Sequence, residues 1–177
     1  MKKLFLILSL VLAIGCLNGY SVTRPQKARA TTSQTATSLP AGFDINTIIV
    51  REGTGEFSYL TFNPNIVKGL TAAGFKLVRT TREKVYMGSE DDTPTSIKAN
   101  VYGMNGINVT VARTTEMIHR VTLSFPNAET FRQFFKTVKE FGYTERYTIE
   151  GTTIFGVESQ ILDCSVKGLK VVFDFNS

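Results

Sequence analysis

Tryptophan is absent from this 177-residue chain, histidine occurs once and cysteine twice. A zinc site of Cys and His ligands normally takes four of them, so that chemistry is excluded. Nucleophilic catalysis by a thiol is reduced to one pairing, Cys164 with His119. A disulfide scaffold is excluded too, because Cys16 lies in the N-terminal apolar run and leaves Cys164 alone in the remainder. The chain beyond the first 40 residues, about 137 residues, must therefore be held by its core, and it is long enough to bury one.

Acidic residues are missing from the first 40 positions, where Lys2, Lys3, Arg24, Lys27 and Arg29 stand alone. Of the 20 Lys and Arg, 5 lie there, and the other 15 balance all 15 Asp and Glu. The formal charge of +5 belongs to that N-terminal segment, and the rest of the chain is neutral. A nucleic-acid binder carries its basic excess on the folded face. Nucleic acid is therefore not an expected partner, and no cofactor motif is present.

Long apolar runs are absent as well, with one exception. After Met1-Lys2-Lys3 the stretch from Leu4 to Leu17 is apolar except for Ser9 and Gly15. A short positive region before a run of this length is a signal sequence, over residues 1–19. The run is too short to span a bilayer as a helix, which needs about 20 residues. Ala13-Ile14-Gly15-Cys16 resembles the lipobox of bacterial lipoproteins, in which Cys16 is lipidated and becomes the first mature residue. Leu is usual where Ala13 stands, and ordinary cleavage after Ser21 is the competing reading. Residues 18–41, rich in Thr, Ser, Ala, Gln and Pro, read as a disordered tether. The expected localisation is the periplasm or the membrane surface of a bacterial cell envelope, with membrane contact only through Cys16.

A single α+β domain is expected over residues 42–177. Ile45 to Val50 and Phe57 to Phe62 read as strands. Asn63-Pro64 opens a helix carrying Ile66, Val67, Leu70 and Ala73 at helical spacing, and Gly74 stops it. Strands follow near 75–87, 95–103 and 106–113, the last two joined by the Asn105-Gly106 hairpin signal. The order then recurs. Residues 116–125 form a strand and Asn127 caps a helix with Phe131, Phe134, Phe135, Val138 and Phe141 on one stripe. Gly142 ends it, and strands near 143–150, 153–164 and 168–175 follow. The halves 57–113 and 116–177 align through Leu60-Thr61-Phe62 with Leu123-Ser124-Phe125, Gly74-Phe75 with Gly142-Tyr143, and Asn105-Gly106-Ile107 with Lys167-Gly168-Leu169. They read as tandem β-α-β-β-β units in one antiparallel sheet covered on one face by two helices. In fold alone, such tandem helix-plus-sheet units resemble β-lactamase-inhibitor-like proteins and other small periplasmic modules.

The candidate chemistry is sparse. His119 is in phase with Met117, Val121, Leu123 and Phe125, which points it toward the covered face. Cys164 is in phase with Leu162 and Val166, as a small buried hydrophobe would be. Both are expected to be structural. Glu90-Asp91-Asp92 lacks the alternating ligands and central glycine of a calcium loop. The uncovered sheet face is the expected contact surface, with Lys98, Asn100, Tyr102, Thr110, Arg120, Thr122, Arg146 and Thr148 on it. Of these, Tyr102, Arg120 and Arg146 are the foremost candidates. The expected function is a non-catalytic binding or interaction module for an envelope protein or ligand. The alternative is a small secreted or periplasmic enzyme whose site has no sequence signature.

Overall fold

The computed structural model describes residues 38–86 and 93–175. The signal sequence, Cys16, the tether as far as residue 37, and Glu90-Asp91-Asp92 lie outside the described residues. The chain runs α1 (Ile45–Ile48), β1 (Ile49–Glu52), a 3-10 turn (Gly55–Phe57), β2 (Tyr59–Phe62), α2 (Ile66–Ala72), β3 (Lys76–Val85), β4 (Thr95–Met104), β5 (Ile107–Arg113) and β6 (Ile118–Ser124). Then come α3 (Ala128–Glu140), β7 (Thr144–Ile149), β8 (Thr152–Gly156), β9 (Leu162–Lys167) and β10 (Lys170–Phe175). It is an α+β fold. Eight strands form one antiparallel sheet in the order β3-β4-β5-β6-β10-β9-β8-β7, and β1 and β2 pair separately.

One sheet face carries the core. Tyr102, Val109, Val111, Val121, Leu123, Phe155, Cys164, Val171 and Phe173 are buried there with Ile66 and Leu70 of α2 and Phe134 and Val138 of α3. The Phe134 ring lies 5.4 Å from Phe43 and 5.3 Å from Phe125. Phe131, Phe135 and Phe141 flank it, partly buried. A stripe of this width fixes how α3 lies on the sheet.

Three segments differ from the sequence expectation, each for a local reason. Residues 45–48 make one helical turn rather than a strand, because Asp44 and Thr47 form a reciprocal capping box. The predicted strand 153–164 is two strands, β8 and β9. The turn between them has Ser159 at φ 61°, and Gln160 is clamped to β2. Its Oε1 accepts from the Leu60 amide at 2.7 Å, and its Nε2 donates to the Ser58 carbonyl at 3.3 Å. Packing also begins before Gly42: Leu39 lies against the core, its amide donates to Gln133 Oε1 at 2.9 Å, and Pro40 is buried.

The β-α-β-β-β halves do not correspond strand for strand. β2 pairs only with β1, whereas β6 lies inside the large sheet between β5 and β10. Four strands, not three, follow α3 among the described residues. A different set of features does recur. Each helix ends with the Phe75 or Tyr143 amide bonded to the carbonyl six-to-one behind it, Leu70 or Val138, and the glycine before it bonded to Thr71 or Lys139. That is the Schellman stop, and Gly74 and Gly142 hold its left-handed position at φ 92° and 114°. Four residues beyond each glycine the strand bulges, at Val78 in β3 and Arg146 in β7. The bulged side chains lie over Gly103 and Gly156, where any Cβ would collide with them.

Candidate functional site

The uncovered face is read from the register. Ala99, Ala112, Arg120, Asp174 and Asp163 lie in one row across β4, β5, β6, β10 and β9. Val101, Thr110, Thr122, Val172, Ser165 and Ile154 form the next, reaching β8. Opposed residues of an antiparallel pair share a face, and Cys164 and Phe173, which alternate with these, are in the core.

This face is concave at one end. β3 and β4 are ten residues long, but β5 stops pairing at Arg113, opposite Lys98. The hairpin beyond Lys98 is an arm without a β5 partner. Val85 and Ile97 of the arm cluster with Ala99 and Ala112. The Arg120 guanidinium on β6 donates to the Lys84 carbonyl on β3 at 3.1 Å. In a flat sheet strands three places apart are separated by about 14 Å. The arm therefore curls over the open face. A cleft of about 420 Å³ remains beneath it, lined by Glu83 and Lys84 of the arm and by Arg120, Thr122, Ser165, Lys170 and Val172 of the sheet.

Four charges run across the face beside this cleft. Arg120 holds Asp174 through Nη2 at 3.2 Å and Nε at 3.3 Å. Asp163, opposite Asp174 in register, faces Arg146 Nη1 at 3.3 Å, but its Oδ1 is sealed from solvent and receives no hydrogen bond. Burial raises both carboxyl pKa values above the usual carboxylate range, and for each the paired arginine offsets this only in part. Arg146 is otherwise engaged with the β8–β9 turn, donating to the Val157 carbonyl at 2.9 Å.

The structure sorts the residues expected on this face. Arg120, Thr110 and Thr122 are there, and Arg120 and Thr122 line the cleft. Tyr102 is not: it pairs with Val109 and is 6% exposed in the core, and Asn100 and Lys98 lie on the same side of β4 as Tyr102, away from the open face. The two-residue turn puts Met104 opposite Ile107, which forces Tyr102 onto the face of Val109. Thr148 pairs with Thr153, which pairs with core-facing Val166. Arg146 is on the open face but is committed to Asp163 and the turn. Ser165, Lys170, Val172 and Glu83 were missed. Their signal was available for β10, where Lys170 and Val172 alternate with buried Val171 and Phe173.

His119 and Cys164 are not brought together. The register of β5 and β6 shifts at His119, so Ile118, not His119, enters the core. The imidazole sits half-buried, 3.3 Å from Thr114 Oγ1, and burial lowers its pKa. Cys164 is wholly buried on the core face, two strands from Val121, and burial pushes its thiol up. A reactive cysteine needs the opposite environment. Among the described residues no group of three or more His, Cys, Asp or Glu converges to hold a metal. No helix among them is long and apolar enough to cross a membrane.

No family model, no curated protein and no solved structure matches the chain.

Proposed function

We propose that the chain is an exported, non-catalytic binding module of a bacterial cell envelope, and that it binds through the open-face cleft under the β3–β4 arm. Export rests on Lys2-Lys3 and the apolar run to Leu17, with Cys16 as the lipidated first residue of the mature chain. The single observation that carries the binding reading is the curl of the arm, latched by Arg120, which turns an otherwise flat polar sheet face into a concave site. Small-ligand sites are concave and joined to a few placed polar groups. Thr122, Ser165, Arg120 and Lys170 supply those groups.

The site sits where two halves of the molecule meet. The repeat unit is α-β-β-β-β: α2 with β3 to β6, and α3 with β7 to β10. The paired Schellman glycines, the bulges at Val78 and Arg146 and the glycines beneath them support this phase. The registers carry it further. Tyr102 then corresponds to Phe155, Val109 to Cys164 and Leu123 to Phe173. The β6–β10 pairing maps onto itself under this correspondence, with the axis through the Thr122–Val172 pair.

The test compares variants in the host. Ser165→Trp, which fills the cleft, abolishes the phenotype conferred by the wild-type gene while the protein stays folded. Cys164→Ser and His119→Gln retain it. Loss of function in a folded Cys164→Ser protein, with Ser165→Trp active, supports the enzyme reading instead. Mass spectrometry of the mature N-terminus shows an acylated Cys16 if the anchor is right, and an unmodified N-terminus downstream if it is not.

A further inference from the structure

The helix-side face of the sheet changes character along the arm. Arg82 pairs with Lys98 and Lys98 with Arg113, so three cations stand in one row across β3, β4 and β5. Lys84, opposite Ser96, stands on the same face two residues further out. The Arg82 side chain leans along this face, its Nε donating to Ser96 Oγ and its Nη2 to the Ser96 carbonyl, each at 3.2 Å. All four cations are exposed.

Residues directly opposite on paired strands have Cβ atoms about 5 Å apart, and like charges there are destabilising. Lys98 has an arginine on each side, and the rest of the strip is the uncharged Thr80, Ser96 and Asn100. Glu83, the acid of β3, alternates with these residues and faces the other way with Ile97. None of the four cations takes part in the ion pairs among the described residues. The chain beyond residue 40 is neutral in sum, so the strip is a segregation of charge and not a consequence of composition. An anionic partner relieves the repulsion within it.

The shape selects a broad partner. The arm curls over the open face, which puts the strip on the outside of the curl. Between Lys98 and Arg113 it dips into an open cleft of about 560 Å³, bordered also by Asn100, Thr114 and Thr115 and by no acid. Two cations with an amide and two hydroxyls are a donor set for phosphate. Read as a flexible tether, the segment from Cys16 to residue 38 spans on the order of 25 Å, and its charges, Arg24, Lys27 and Arg29, are all positive.

Resting on the anchor reading above, we propose that Arg82, Lys84, Lys98 and Arg113 form a docking surface for an anionic phospholipid bilayer, with a headgroup phosphate seated between Lys98 and Arg113. The membrane is then met at two points, the acyl chains on Cys16 and this strip. The open-face cleft, on the other side of the arm, is left turned away from the bilayer.

Acetylation of lysine amines by a succinimidyl ester, read residue by residue by mass spectrometry, tests this on the mature chain. The probes are vesicles of phosphatidylcholine, alone or mixed with phosphatidylglycerol. Lys84 and Lys98 should label about fivefold more slowly on the anionic vesicles, and the protection should fade as salt is added. Lys170, on the opposite face, should label equally on both. Arg82→Gln and Arg113→Gln should each weaken docking about fivefold. Equal labelling of Lys84 and Lys98 on the two vesicles, or full protection in the double variant, overturns the proposal. Protection by soluble polyglutamate and not by anionic vesicles assigns the strip to an acidic protein and overturns it too. An acylated Cys16 with an unprotected strip refutes the docking surface and keeps the anchor. A protected strip on a chain without acyl groups supports the docking surface and refutes the anchor.

Discussion

The two wings of the sheet have one skeleton and two outcomes. In each, a helix stops on a left-handed glycine, a buried aromatic follows, and the edge strand bulges over a glycine of its neighbour. In the β7–β8 wing the bulged residue is Arg146, whose charge is spent on Asp163 and the β8–β9 turn, and the strands stop after six and five residues. In the β3–β4 wing the bulged residue is Val78, exposed and unengaged with any charge, and the strands continue to ten residues each. The shared parts fix the edge strands on the sheet. The unshared length makes the arm, and with it the only roof over the open face among the described residues.

The comparison breaks most visibly at the buried aromatics. Phe75→Ala and Tyr143→Ala should each cost about 3–5 kcal/mol, since both rings are 2% exposed. Chemical denaturation of the two variants should give similar losses if the skeletons are equivalent. Tyr143→Phe adds a finer test: it strands the Leu162 carbonyl now bonded at 3.0 Å and should cost about 1–2 kcal/mol.

The glycines under the bulges should separate the wings. A Cβ at Gly103 meets Val78 Cγ2, an exposed group that can turn aside at about 1 kcal/mol. A Cβ at Gly156 displaces the Arg146 guanidinium and leaves the buried Asp163 carboxylate uncompensated, so Gly156→Ala should cost about 2–3 kcal/mol. Equal losses in thermal unfolding would contradict the assigned role of Arg146.

The carboxylates of the open face give a pH signature. Burial raises Asp163 and Asp174, so the folded state binds their protons more tightly than the unfolded chain does. Their contribution is fully present below the unfolded carboxyl pKa and is lost as pH rises through the folded values. Asp163→Asn should flatten that decline. His119 acts in the other direction: burial lowers its pKa, so stability falls as pH drops through the folded value, and His119→Gln should remove that fall. Unfolding midpoints from pH 4 to pH 8 separate the two slopes.

The smallest expected effect is on the arm. Arm amides at 83–85 and 95–97 should exchange with deuterium faster than those of 99–103, which β5 pairs on the other side. Arg120→Gln should speed the arm further and leave 99–103 unchanged.

Much of this was legible in the sequence, and what was missed has physical causes. Both helices, their glycine stops and the Asn105-Gly106 hairpin carry local signals, and each formed where those signals stand. The turn at 45–48 was misread because its β-branched run obscured the Asp44–Thr47 cap. The expected β-α-β-β-β halves rest on the likeness of Leu60-Thr61-Phe62 to Leu123-Ser124-Phe125, but one pairs with β1 and the other with β5 and β10. Tyr102 was placed on the wrong face although the hairpin register already determined its side. The arm had no signal at all. Its curl depends on where β5 stops and on a bond from Arg120 to a carbonyl 36 residues away in sequence.

The most direct test converts the long wing into the short one. Replacing residues 83–97 by Asn-Gly closes the hairpin on the Arg82–Lys98 pair and removes the arm. The account predicts a folded sheet in which the amides of Leu123 and Phe173 keep their protection from exchange, and loss of the phenotype that the wild-type gene confers. A folded variant that confers that phenotype as fully as the intact protein would contradict it.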